Sequence, residues 1–547
     1  MAPTAGTVAE YDMIFAVSQK AINAQFANLY ETDNPKNFDE KLIPNSVKLG
    51  FIAWDEDDKK WVDSDEGVSA EIECPTVDLN NPGTGGTLYR SLRISIKIKT
   101  GTFTYWYTAG GNPKLKSIDV AGYTFSWVAQ VGARNIQDLE EEAMHPDAKK
   151  GIKDTLAEVN HEDYLVSSLF CLFESTQVAN SFALTDANGK AVESTTQVGA
   201  WLNSLTKTYE LLDAKKYPYV LGYGVSQKIP QPETGTPHFF PAKFWFSTTP
   251  YSDDKDQATL NFTMINGDAH DGQLVDPVNN PSAGLLSPAL IKLTRATNLQ
   301  SDGIFAASNN MFVAHWLTPC LFSKIDFAPI YGTIAATVVE QIKPTKGSPK
   351  ASKNVARYTE WVTDEDGKGR RKWTGMYNVN ITYSSTLQSQ TSGEIAADTK
   401  RNITIVIDGD VYDKEEYQKK SGSSWIDEGY YDATTKWGMS LLVTAADDGK
   451  WKVTAKDVTH LPGTTTIGEH TNSNCDNATR KYVDFTVDVK GHLLADYYGI
   501  LQTIPTISPR IVMPAGDVYT FLGLDNDDSG NVYSHIKYKT IVSGSST

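Results

Sequence analysis

The hydrophobic positions of this chain follow two periods in alternating blocks. Residues 11–18 (YDMIFAVS) form an apolar run that predicts a short strand. Directly after it, Ile22, Phe26, Leu29 and Tyr30 fall at i, i+4, i+7 and i+8, which is one face of an amphipathic helix. Residues 39–43 and the acidic DEDDKK (55–60) predict loop and turn. Between 68 and 131 the period is two. Leu92, Ile94, Ile96 and Ile98 alternate with Arg93, Ser95 and Lys97, and residues 123–131 alternate again. Gly101 is read as ending the first of these strands, with FTYWY (103–107) opening another.

A second helical zone spans 134–213. Pro146 suits the first turn of a helix. Val198, Leu202, Leu205, Tyr209 and Leu212 form a stripe at +4, +7, +11 and +14, and Lys215 and Lys216 suit its C-terminal end. Strands return over 239–267. A helix is expected near 285–296, and another from Ile330, Ile334, Val338 and Ile342. KPTKGSPKASK (343–353) has the composition of a linker. Beyond it the pattern is a β-meander, with strands expected at 376–383, 403–407, 439–443, 451–455, 482–489 and 518–522. No repeat of twenty to fifty residues is visible, so a propeller or solenoid is excluded.

These elements predict an α+β fold in which long antiparallel sheets wrap around a few amphipathic helices. They divide into an N-terminal α+β lobe (8–342), a linker (343–353) and a β-rich C-terminal lobe (354–547) that either stands alone or completes the same unit. The charge of −17 over 547 residues disfavours nucleic-acid partners. The four cysteines (74, 171, 320, 475) lie far apart without metal-ligand spacing and read as buried thiols. The N-terminus lacks the basic and apolar regions of a Sec signal peptide, and no stretch approaches eighteen apolar residues. A chain made in the cytoplasm is expected, leaving by a non-Sec route if it acts outside. The Asn-x-Thr sequons at Asn261, Asn380, Asn402 and Asn477 read as parts of Thr-rich strands.

Candidate chemistry is sparse. The chain has no P-loop, GxSxG, HExxH or kinase signature. His315 lies in an apolar run and reads as a core residue, while His145 and His161 sit in polar segments and read as solvent-facing. Asp525, Asp527, Ser529 and Gly530 follow the first half of a calcium loop, but its twelfth position is Ile536, so a hairpin turn is expected. DEDG (364–367) reads as another turn. No catalytic residue, metal or cofactor is expected.

Four segments, in order, resemble one known family: EYDMIFAVSQKAINAQF, SAEIECPTVDL with LRISIKIKTGTF, GIFAASNNMFVAHWLTPCLF, and IVMPAGDVYTFLGLDNDDSGNVYSHIKY. Together they resemble the forty-seven-kilodalton protein of clostridial neurotoxin clusters and its OrfX relatives, over roughly residues 10–540. In the last segment, Pro514-Ala515-Gly516 replaces the family's Pro-Gly-Gly. The resemblance implies an elongated tubular lipid-binding (TULIP) fold with an apolar groove. It also implies binding of lipid or phosphoinositide, contact with a membrane surface, and an accessory role beside a protein toxin.

The leading functional expectation is therefore non-enzymatic binding of a lipid or another hydrophobic ligand. The apolar stripes would line its cavity, through Ile22, Phe26, Leu29, Val198, Leu202, Leu205 and Tyr209. Three alternatives stand beside it. One is a toxin-accessory scaffold presenting Tyr and Trp patches. Another is a pore-forming insecticidal component using the Thr/Ser-rich alternation of 376–412. A hydrolase has no motif behind it.

Overall fold

A computed structural model describes residues 8, 11–80, 91–157, 164–172, 181, 183–192, 219–227, 239–251, 254–266, 301–327, 335–345, 348–387, 401–445, 450–457, 465–471, 491, 511–512 and 519–538. These residues are mostly β-strand, with few helices. The stripe of Val198, Leu202, Leu205 and Tyr209 lies outside them, as do the helix expected at 285–296, the strand at 482–489, His161 and Asn477.

The expected first strand, β1 (Met13–Ser18), is buried along its whole length. It reads as an uninterrupted apolar run because it is central in a sheet, pairing with β14 (Thr259–Ile265) on one side and β15 (Gly303–Ala307) on the other. β13 (Lys243–Thr249), β25 (Tyr519–Asn526) and β26 (Val532–Tyr538) complete six strands in the order β13-β14-β1-β15-β26-β25. The last two strands of the chain thus pair into the sheet built on its first. The turn between them, 527–531, is the expected hairpin. Asp527 accepts from the Asn531 N–H at 2.9 Å, and Gly530 takes a φ of +79° that suits a residue without a Cβ.

Helix α1 (Gln19–Glu31) begins where Ser18, in extended conformation, accepts from the Ala21 N–H at 3.2 Å. Its stripe of Ile22, Phe26 and Leu29 is buried, each side chain contributing roughly 1.5–3 kcal/mol. Asn23 braces the helix on β6 (Thr76–Asp78), accepting from the Val77 N–H at 2.8 Å and donating to the Val77 carbonyl at 3.2 Å.

The ten-stranded sheet runs β24 (Ile511–Val512), β12 (Val220–Gln227), β10 (Tyr164–Leu172), β9 (Thr124–Ile136), β7 (Ser91–Ala109), β5 (Lys60–Ile72) and β4 (Ser46–Asp55). β6 and β8 (Asn112–Asp119) also pair with β7, and β11 (Ala183–Thr185) pairs with β9. Gly101 does not end a strand as expected. It sits inside the nineteen-residue β7, where a Cβ would lie 2.5 Å from the Ala70 side chain, so glycine lets β5 approach. The first half of β7 pairs with β9 and β6, the second with β8 and β5. Residues 39–41 of the stretch expected as loop (39–43) belong to a strand, β3 (Asn37–Lys41), paired with β2 (Asp33–Asn34). Helix α2 (Pro146–Ala157) starts at Pro146 as expected, but His145 before it is buried, not solvent-facing. Its Nδ1 accepts from the Asp147 N–H at 3.2 Å, and burial pushes the imidazole pKa down.

The eight-stranded sheet runs β16 (Thr337–Thr345), β17 (Lys350–Tyr358), β19 (Gly369–Leu387), β20 (Arg401–Ser421), β21 (Ser424–Ala445) and β22 (Trp451–Asp457). β18 (Val362–Thr363) pairs with β19 and β23 (Thr465–Thr471) with β21. Two expectations are corrected here. Val338 and Ile342 lie on a strand, not on a helix, and within the expected linker residues 343–345 end β16 and 350–353 begin β17, the two pairing with each other. Ala351, Lys353 and Val355 alternate inward; buried Lys353 donates to the Phe322 carbonyl at 3.1 Å and pairs with Glu340 at 3.3 Å. DEDG is the expected turn, between β18 and β19.

A π-helical segment (Asn310–Leu317) continuing into α3 (Thr318–Phe322) packs beneath this sheet. Phe312 meets Tyr383 at 5.2 Å and Trp316 at 5.0 Å between ring centroids, and Phe327 meets Tyr377 at 5.2 Å. One contiguous apolar core joins α1, this segment and the inward faces of the sheets. Among the sequons, Asn261 is fully buried in β14 and Asn402 is buried in β20. No helix among the described residues is long and apolar enough to cross a membrane.

Candidate functional site

The period of two divides β19 into faces. Tyr377, Val379, Ile381 and Tyr383 point into the core, while Met376, Asn378 and Asn380 stand on the opposite, outer face. Cross-strand register then assembles two rows from five strands. One row is polar: Gln341, Asn354, Asn378, Asp410 and Lys436. Its neighbour is largely apolar: Val339, Ala356, Met376, Tyr412 and Thr434. Side chains directly across a ladder lie close enough to act as one surface.

Between these rows runs a groove of about 470 Å³, within the usual size of small-molecule sites. Its lining combines both rows, apart from Lys436, with Val355 and Tyr377. Met376 is 40% and Val339 42% exposed, so apolar surface faces solvent here. Tyr358, Val406 and Tyr430 extend that exposure over the same face.

Hydrogen bonds tie the groove's side chains to one another and to their neighbours. Asn378 donates to Asp410 at 2.6 Å. Tyr412 donates to Asp432 at 3.4 Å, and burial, reinforced by Asp432, pushes its phenol pKa up to about 12. The Asp432 Oδ1, shielded from solvent, has no hydrogen-bond partner. Next to the groove, partial burial pushes the Asp408 carboxyl up; a hydrogen bond from Asn380 opposes this and the charge of Asp410 adds to it.

The outer face continues to the far end of the β20–β21 hairpin. There the Arg370 guanidinium lies between Trp361 and Trp425, at 4.7 and 4.6 Å from their ring centroids.

Ile22, Phe26 and Leu29, expected to line a cavity, are buried in the core, and none is among the residues that line the groove. No group of three or more His, Cys, Asp or Glu residues suited to a metal occurs among the described residues. Cys320 is a buried thiol and Cys74 a half-buried one, pushed by burial to about 12 and about 11. His315 sits half-buried on the π-helical segment.

Sequence reasoning missed the groove. Its residues occupy alternate positions that read as an ordinary solvent-facing side of half-buried strands. The one available signal was Met376 and Tyr412 among the polar outward positions.

No protein-family model matches the chain, and no curated protein matches it by sequence. Among solved structures the chain is similar to P47 of Clostridium botulinum E1, at 12% identity and a TM-score of 0.42, covering 97% of this chain and 99% of that one. It is similar to P47 from Clostridium botulinum A2 at 12% identity and a TM-score of 0.44, covering 96% and 97%. A lipopolysaccharide binding protein aligns at 12% identity and a TM-score of 0.29, covering 97% and 99%. P47 is the clostridial group that the four sequence segments resemble.

Proposed function

We propose that this chain binds a lipid or another amphipathic molecule, without transforming it, in the groove on the outer face of the eight-stranded sheet. One observation carries the reading. An apolar row and a polar row run side by side across five strands and line an open groove of about 470 Å³. A hydrocarbon chain gains by covering Val339, Ala356, Met376 and Tyr412, at about 25 cal/mol per Å² removed from water. The polar end of the same molecule meets Gln341, Asn354, Asn378 and Asp410. The lining holds one carboxylate and no His, Cys or Ser, which supports holding over chemistry. The tubular lipid-binding arrangement of sheets wrapped on greasy helices belongs to this proposal.

The test is lipid uptake. Full-length protein is incubated with vesicles of phosphatidylcholine and glucosyl diacylglycerol, re-purified, denatured and extracted for mass spectrometry. Wild type is expected to retain lipid. Met376→Asp, which puts a charge into the apolar row, is expected to retain at least about tenfold less with unchanged circular dichroism. Lipid-free wild type, or undiminished uptake by the variant, contradicts the proposal.

A second reading, a protein-interaction scaffold, is favoured by β16. It is the edge of its sheet among the described residues, and Val338 and Ile342 are 50% and 46% exposed on it. Co-purification of a partner lost on Val338→Lys with Ile342→Lys would support that role; retention would remove it.

A further inference from the structure

The groove's polar row also indicates what kind of head it takes, an inference that rests on the amphiphile-binding reading. Phosphate and carboxylate heads are recognised by Arg, Lys or helix N-termini. The lining contains none of these: its single acidic side chain is Asp410. The nearest basic residue in register, Lys436, stands directly across from Asp410 on the next strand, and Lys414 pairs with Glu416 at 3.0 Å. An anionic head therefore meets a carboxylate before any free cation. A cationic head fares little better, since Lys436 flanks the one carboxylate it would seek.

The remaining polar groups are planar amides, a carboxylate and hydroxyls. Gln341, Asn354 and Asn378 each offer donor and acceptor side by side. Asp410 receives one bond from Asn378 and keeps further acceptor capacity. A hydroxyl group both donates and accepts, so neighbouring hydroxyls satisfy such a set without bringing charge. The ring of Tyr412 and the thioether of Met376, in the adjacent row, offer an apolar wall to the C–H face of a sugar.

We propose that the head recognised by this groove is an uncharged polyol, a sugar ring borne on a hydrocarbon chain, and not a phosphate or an amine. The phosphoinositide head implied by the sequence resemblance does not fit this lining.

The experiment is calorimetric titration of the full chain with three amphiphiles of one chain length, each below its micelle concentration: n-octyl β-D-glucoside, n-octyl phosphate and n-octylammonium. The glucoside is expected to bind at least about tenfold more tightly than either charged probe. Asn378→Leu is expected to weaken the glucoside about tenfold and leave the charged probes unchanged. Gln341→Ala, on an exposed position of the edge strand, repeats the test should Asn378→Leu misfold. Equal or tighter binding of the phosphate or the amine overturns the polyol assignment and leaves the amphiphile reading standing. Glucoside binding indifferent to both variants overturns the assignment to this row. Binding of none of the three overturns both readings.

Discussion

Glu140 stands between Lys149 and Lys153 of α2, 2.6 Å from each ammonium, and its carboxyl pKa is lowered by these contacts from 4.5 to about 2. The ion-paired form belongs to the folded state. Its contribution is therefore present above pH 4.5 and fades as pH falls toward about 2. A carbon-13 NMR titration should find Glu140 still ionised at pH 3, and a midpoint near the ordinary value would contradict the pairing. At this scale the sequence was partly legible. The three-residue step from Phe26 to Leu29 is odd, so a strand would place them on opposite faces and only a helix keeps Ile22, Phe26 and Leu29 together. Their burial was readable, but not what they would touch, because a core residue and a cavity wall obey the same pattern. His145 went the other way: polar neighbours suggested exposure, yet its ring serves the start of α2 from a buried position.

Elements show where periodicity is degenerate. Ile330, Ile334, Val338 and Ile342 are spaced by fours, and four is both a helical return and an even number of strand steps. Nothing in that spacing excludes a helix, and the β-branched pair Val338-Val339 carried the deciding preference in β16. The stretch 343–353 lacks a large apolar residue, which suggested a linker. Lys353 instead spends its aliphatic stem in the core and delivers its charge to Glu340 and the Phe322 carbonyl. Gly101 was taken as a strand end because glycine weakens strands, but a close backbone approach uses glycine too. Gly101→Val is therefore expected to destabilise the chain by about 1–3 kcal/mol through overpacking against Ala70. Urea unfolding should show a lowered midpoint with unchanged slope. An unmoved midpoint would show that β5 and β7 separate freely.

Across the whole molecule, chain order and spatial order diverge. β25 and β26 close the sheet begun by β1, so residues 519–538 belong structurally with residues 13–18. The groove has the same character. Gln341 and Lys436 lie 95 positions apart in sequence yet end one ladder row, and no local window contains both. Among the described residues, rings pack against one another in the interior, as Phe305 does against Trp451 at 5.0 Å. The account therefore moves ligand binding from the inside of the fold to the outer face of one sheet. Photolabelling of the intact protein tests that placement most directly, using a glucosyl diacylglycerol with a diazirine in its acyl chain and peptide mapping of the adducts. Adducts should concentrate on peptides carrying Val339, Ala356, Met376 and Tyr412. Adducts confined to the α1 peptide with Ile22, Phe26 and Leu29, or no adducts at all, would contradict it.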